Sequence, residues 1–126
     1  MSGLVRFVQT LSRWLFWPGM ALITWGELTP HPPQMGGPFG WDKVDHFTAY
    51  FGLASMATMV LGMRARLTWA ILGIILYGGT LEILQGFTGR DPEWMDFVAN
   101  SIGAFCGLGA AAVLLRLPLV GAKPAD

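Results

Sequence analysis

The sequence predicts an all-α polytopic membrane protein with four transmembrane helices. Three observations carry that expectation. Charged residues are 13% of the 126-residue chain, against about 25% in an ordinary soluble domain. Hydrophobic residues are 53% before 17 glycines are counted, and mean hydropathy is +0.50. The apolar residues also fall in long runs, as crossing about 30 Å of hydrocarbon with about 20 helical residues requires. At this length the chain, 1–126, is a single domain.

The first run, 4–26, is charge-free only from residue 14, contains Pro18, and reaches spanning length by including Arg6 and Arg13. Arginines near a helix end can snorkel to the interface. A basic start before an apolar stretch also suits a signal peptide, but this stretch is tryptophan-rich and no A-x-A-like cleavage site follows. It therefore reads as a retained anchor helix. The connection 27–42 is rich in breakers: Pro30, Pro32, Pro33, Gly36, Gly37, Pro38 and Gly40.

The second run, 47–63, is short unless its helix begins upstream at Asp42 or Lys43. A tight hairpin at 64–66 leads into the third, 67–87, with Glu82 as its one charge. In the turn 88–94, Asp91 followed by Pro92 reads as an N-cap and first helical residue. The fourth run, 97–115, carries no charge. The sequence contains no internal repeat.

Short cytoplasmic loops collect Lys and Arg. Arg6, Arg13, Arg64, Arg66, Arg116 and Lys123 fall on the N-terminal side and only Lys43 and Arg90 on the other, which places both termini in the cytoplasm. The acids divide oppositely, with Glu27, Asp42, Asp45, Glu82, Asp91, Glu93 and Asp96 outside and Asp126 inside. Tryptophans mark both interfaces: Trp14, Trp17 and Trp69 inner, Trp25, Trp41 and Trp94 outer. The reading is a multi-pass protein of a cytoplasmic membrane.

Several function classes drop out. Basic and acidic residues balance at 8 each, leaving no general footprint for nucleic acid. Cys106 lacks the companions a disulfide or zinc site needs, and among alanines and glycines it reads as buried packing. Ser55 and Ser101 lie in helical runs without a G-x-S-x-G turn. No P-loop or dinucleotide fingerprint is present, and four spans without an inverted repeat do not suit a stand-alone transporter.

The informative residues gather where three helices meet the outer leaflet. Asp42, His46 and Ala49 share one face of the second helix. Gly78, Glu82 and Gln85 share one on the third, and Asp96, Asn100, Gly103 and Gly107 one on the fourth. Arg90 stands in the turn between the last two. Ionisable groups in spans are costly and face protein or a wet cavity, so Glu82 must be paired, protonated or solvated. The Gly103/Gly107 pair permits close helix approach, which also makes it a candidate homo-oligomer seam.

Asp42-Lys43-x-x-His46-Phe47, then Glu82-x-x-Gln85-x-Phe87, Arg90 and Asp96-x-x-x-Asn100-x-x-Gly103, in that order, closely resemble the VanZ-like family over about residues 42–115. The resemblance implies a small polytopic protein of the bacterial envelope, in a family whose founding relative is associated with resistance to the glycopeptide teicoplanin. Its expected partners are membrane lipids and a lipid-linked cell-wall precursor or glycopeptide.

The residues leave three readings open. In the first, Asp42, Lys43, Gln85, Arg90 and Asn100 bind a lipid-linked or amphipathic molecule, with Arg90 and Lys43 as anion contacts. In the second, His46, Glu82 and Asp96 perform acid/base or metal-assisted chemistry. The third is a non-catalytic assembly partner. No cofactor is expected and no metal is assigned, because HExxH and clustered histidines or cysteines are missing. The bland alternatives are a hydrogen-bonded helix-end histidine at His46 and a structural ion pair from Arg90 to Glu82, Asp91 or Asp96.

Overall fold

A computed structural model describes residues 3–30 and 42–117. Four helices account for nearly all of them: α1 Gly3–Leu28, α2 Asp42–Leu61, α3 Ala65–Gln85 and α4 Trp94–Arg116. No strand occurs among the described residues. Trp41, Lys123, Asp126 and the Pro/Gly-rich stretch 31–40 lie outside them.

α1 runs through Pro18 unbroken. α2 begins at Asp42, the earlier of the two expected starts, with Asp42 and Asp45 in its first turn where the helix dipole favours acids. The turn into α3 is earlier than expected, at 62–64. Gly62 takes the left-handed conformation at φ 65° and returns its N–H to Thr58 O, a glycine C-terminal cap.

The entry to α4 corrects the Asp91-Pro92 expectation: the helix starts at Trp94, with Glu93 at its N-cap position and no side-chain cap of its own. The reason is long-range. The Glu93 N–H donates to Glu82 Oε1 on α3, so a carboxylate from the neighbouring helix satisfies a donor at this helix start.

α2 is the central helix, burying His46, Tyr50, Leu53, Ala54, Ala57 and Thr58 at helical spacing. Against it, α4 turns Asn100, Gly103, Ala104, Gly107 and Ala111. The approach is so close that a Cβ on Gly103 would strike Phe47 O, and one on Gly107 would strike Phe51 O. Ser55 Oγ donates across the seam to Gly107 O at 3.1 Å. The seam expected between copies is therefore filled by α2 of the same chain. Cys106, one residue away, faces outward and is exposed, contrary to the packing role expected of it.

Leu67, Ile71 and Ile74 of α3 complete the main core with Tyr50, Leu53, Ala54, Ala57 and Ala104. α1 joins through polar contacts as well as Phe16, Met20 and Ile23: Tyr77 Oη donates to Met20 O at 2.8 Å and lies 2.6 Å from Thr24 Oγ1.

Two of the four helices, α3 and α4, are long and apolar enough to cross a membrane. Only 33% of each apolar stretch is buried, so most of it faces outward, unlike the core helix of a soluble protein. α1 and α2 fall short of the four-span expectation. Arg13, Pro18 and Glu27 dilute the first, and Asp45 and His46 the second.

Candidate functional site

At one end of the bundle α1 and α3 finish while α2 and α4 begin. Here the usual partition is inverted: large apolar side chains such as Trp25, Ile83, Phe87 and Trp94 are exposed, while Glu27, His46, Glu82, Gln85, Asp96 and Asn100 are buried.

His46 is the hub. Its Nδ1 lies 3.0 Å from Asn100 Oδ1, an acceptor, so the Nδ1–H donates and Nε2 is free to face the opposite side. There Asp42 Oδ1 and Asp96 Oδ2 each stand 3.8 Å away. Two helices set this geometry. Asp42 precedes His46 by one turn of α2, and the α2–α4 glycine seam carries Asp96 and Asn100 up to the same imidazole. A Cβ on Gly78 of α3 would come within 2.8 Å of Tyr50 and 3.1 Å of Asn100, so that glycine admits both side chains beneath the histidine.

The cations are already engaged. Lys43 Nζ is 2.7 Å from Glu93 Oε2 and 3.3 Å from Asp96 Oδ1. Its hydrogen bond holds the exposed Glu93 carboxyl below the ordinary range. Arg90 departs from every expected partner. Its Nη1 donates to Glu27 O at 3.0 Å and Gly26 O at 3.4 Å, and its Nη2 lies 3.6 Å from Asp42 Oδ1. It therefore caps the C-terminus of α1 and bridges to α2, and it does not pair with Glu82, Asp91 or Asp96. The turn holds it in position: Gln85 O accepts the N–H groups of Thr88 and Arg90, and Gly89 supplies a φ of 82°.

Of the sequence-predicted residues, Asp42, Lys43, His46, Asp96 and Asn100 come into one contact network. Glu82 turns one oxygen to the start of α4, and Gln85 is buried one turn further along α3. Sequence reasoning missed Glu27 as a site residue. It is 7% exposed, and its Oε1 lies 3.6 Å from His46 Nδ1. The available signal was an acid in the last turn of an apolar helix, where the dipole disfavours it.

Much of this cluster is unsatisfied. Glu82 Oε2, Gln85 Nε2 and Asn100 Nδ2 are buried with no hydrogen-bond partner among the described residues, while Asp96 Oδ1 has the Lys43 ammonium at 3.3 Å and the Glu27 carboxyl lies against His46 and the Tyr50 hydroxyl. A buried group left unpaired costs about 1–3 kcal/mol, and native structures leave few. Asp42 and Lys43, with side chains 53% and 45% exposed, form the open rim. Chemically the site is an acid-rich, acceptor-rich cluster around one buried imidazole. Comparison with protein-family models, with curated proteins and with solved structures finds no match.

Proposed function

We propose that this chain is a VanZ-like, four-span protein of the bacterial cytoplasmic membrane, with both termini cytoplasmic. Its polar end lies at the outer leaflet, where it holds the head of a lipid-linked or amphipathic envelope molecule. Support for the membrane setting comes from the arginine asymmetry, with Arg6, Arg13, Arg64, Arg66 and Arg116 at or near the opposite end, and from the exposed apolar surface.

The observation that carries the reading is the set of buried, unpaired polar atoms beneath an open rim. It also modifies the expected chemistry. Arg90 and Lys43 are occupied by protein groups, so the head is held through a donor to Glu82 and through acceptors for Gln85 and Asn100. Sugar hydroxyls and peptide amides supply both. A second reading, acid/base chemistry on such a molecule, is favoured by His46, whose Nε2 faces two carboxylates while Asn100 orients its ring.

The test is native mass spectrometry of the protein extracted from its own membrane with lipids retained. The wild type is expected to carry an amphipathic adduct that Gln85→Leu loses. Because Gln85 Nε2 is unpaired, that variant keeps or gains stability. Equal adducts on both proteins, or none on the wild type, would overturn the head-group reading.

A further inference from the structure

We propose that Asp42, His46 and Asp96 form a binding site for a first-row divalent cation, an inference independent of which amphipathic molecule the polar end holds. One imidazole nitrogen and two carboxylate oxygens, from two helices, lie within 4.8 Å of one another. Around a zinc-sized ion with ligands at about 2.1 Å, neighbouring donor atoms stand about 3.3 Å apart. The observed separations of 3.8 Å from Nε2 to each carboxylate close to that by small side-chain rotations.

The surroundings favour a cation over an empty triad. Asn100 Oδ1 accepts the Nδ1–H, which in the neutral imidazole leaves the Nε2 lone pair facing two carboxylates; without a positive charge between them these atoms repel. This is the outer-shell arrangement that fixes a metal-binding histidine. Glu27, 7% exposed, places Oε1 3.6 Å from His46 Nδ1, on the side of the ring away from the triad.

The neighbouring cations do not fill the triad. Lys43 lies against Asp96 Oδ1, leaving Oδ2 toward His46, whereas Arg90 Nη2 stands 3.6 Å from Asp42 Oδ1, the same oxygen that faces His46, so a bound ion would share that carboxylate with the guanidinium. The half-exposed Asp42 leaves an open coordination position at the rim. Mixed imidazole and carboxylate donors suit zinc or manganese. The site differs from the His46, Glu82 and Asp96 set expected from sequence, because Glu82 Oε1 is committed to the start of α4 and Asp42 stands in its place.

The experiment uses the full chain without a histidine tag, in a Cys106→Ala and His31→Ala background that removes other soft ligands, purified in detergent and stripped with chelator. Zinc titration by calorimetry is expected to give one equivalent per chain. Asp42→Asn, a near-isosteric change at a half-exposed position, should weaken binding at least about tenfold, and His46→Gln should abolish it. Cobalt substitution should give a visible spectrum with nitrogen and oxygen ligation that His46→Gln lacks. Zinc uptake no greater than that of His46→Gln, or unchanged in Asp42→Asn, would mean that the imidazole is balanced by a proton, and the site would be refuted.

Discussion

The middle of the α2–α4 interface and its polar end are built from the same two helices, yet they solve opposite problems. In the middle, Gly103 and Gly107 bring backbones into contact, Ser55 donates its hydroxyl to Gly107 O, and Thr58 returns its hydroxyl to Ala54 O. One turn away Asn100 and His46 meet at 3.0 Å among groups that have no partner. The difference teaches that close approach is a cause and the polar cluster its effect. Small residues pull the helices together, and the polar side chains beyond them are buried whether or not the protein can satisfy them.

Breaking the seam should therefore have the largest effect. Gly107→Val places a side chain against Phe51 O, a backbone atom that cannot rotate away, so the loss should be about 3 kcal/mol or more. Unfolding in detergent monitored by circular dichroism measures it. A variant as stable as the wild type would show that the two regions are not coupled in this way.

Glu82→Ala sharpens the comparison at the border of the two regions. It removes the acceptor of the Glu93 N–H, and hydrogen bonds to charged groups contribute about 1.5–3 kcal/mol. Hydrogen exchange should accelerate at Glu93 and in the first turn of α4 while the seam stays protected. Uniform acceleration through α4 would contradict a local cap.

Arg90→Met should be the mildest, at about 1 kcal/mol, because it uncaps α1 at the periphery and leaves the seam intact. The melting temperature reads it out, and added salt should reduce the difference between the two proteins. A loss as large as that of Gly107→Val would mean that Arg90 supports the whole cluster.

The two regions were also unequally legible in the sequence. Apolar runs located α2, α3 and α4 to within a few residues, and helical spacing put Asp42 with His46 and Asp96 with Asn100 and Gly103 on common faces. What remained hidden depends on distant partners. Asp91-Pro92 has the local grammar of a helix start, yet Glu82, eleven residues before Glu93, determines where α4 begins. Arg90 was expected to seek a carboxylate, but its main acceptors are backbone carbonyls, which no sequence pattern marks. Glu27 belongs to a helix with no motif, and only its unfavourable place in the last turn set it apart. Cys106 was read from its neighbours' composition, although one residue along a helix is a rotation of about 100° and takes it off the glycine stripe.

The contact from Arg90 to the end of α1 spans 63 residues. During synthesis α1 is made first and its final carbonyls wait until the turn before α4 is made. Every ribosome-bound intermediate lacking that turn therefore displays the same unfinished helix end. The arrival of Arg90 closes that helix end just before α4 is made, and a product truncated before it carries a chemically distinct defect at its first helix.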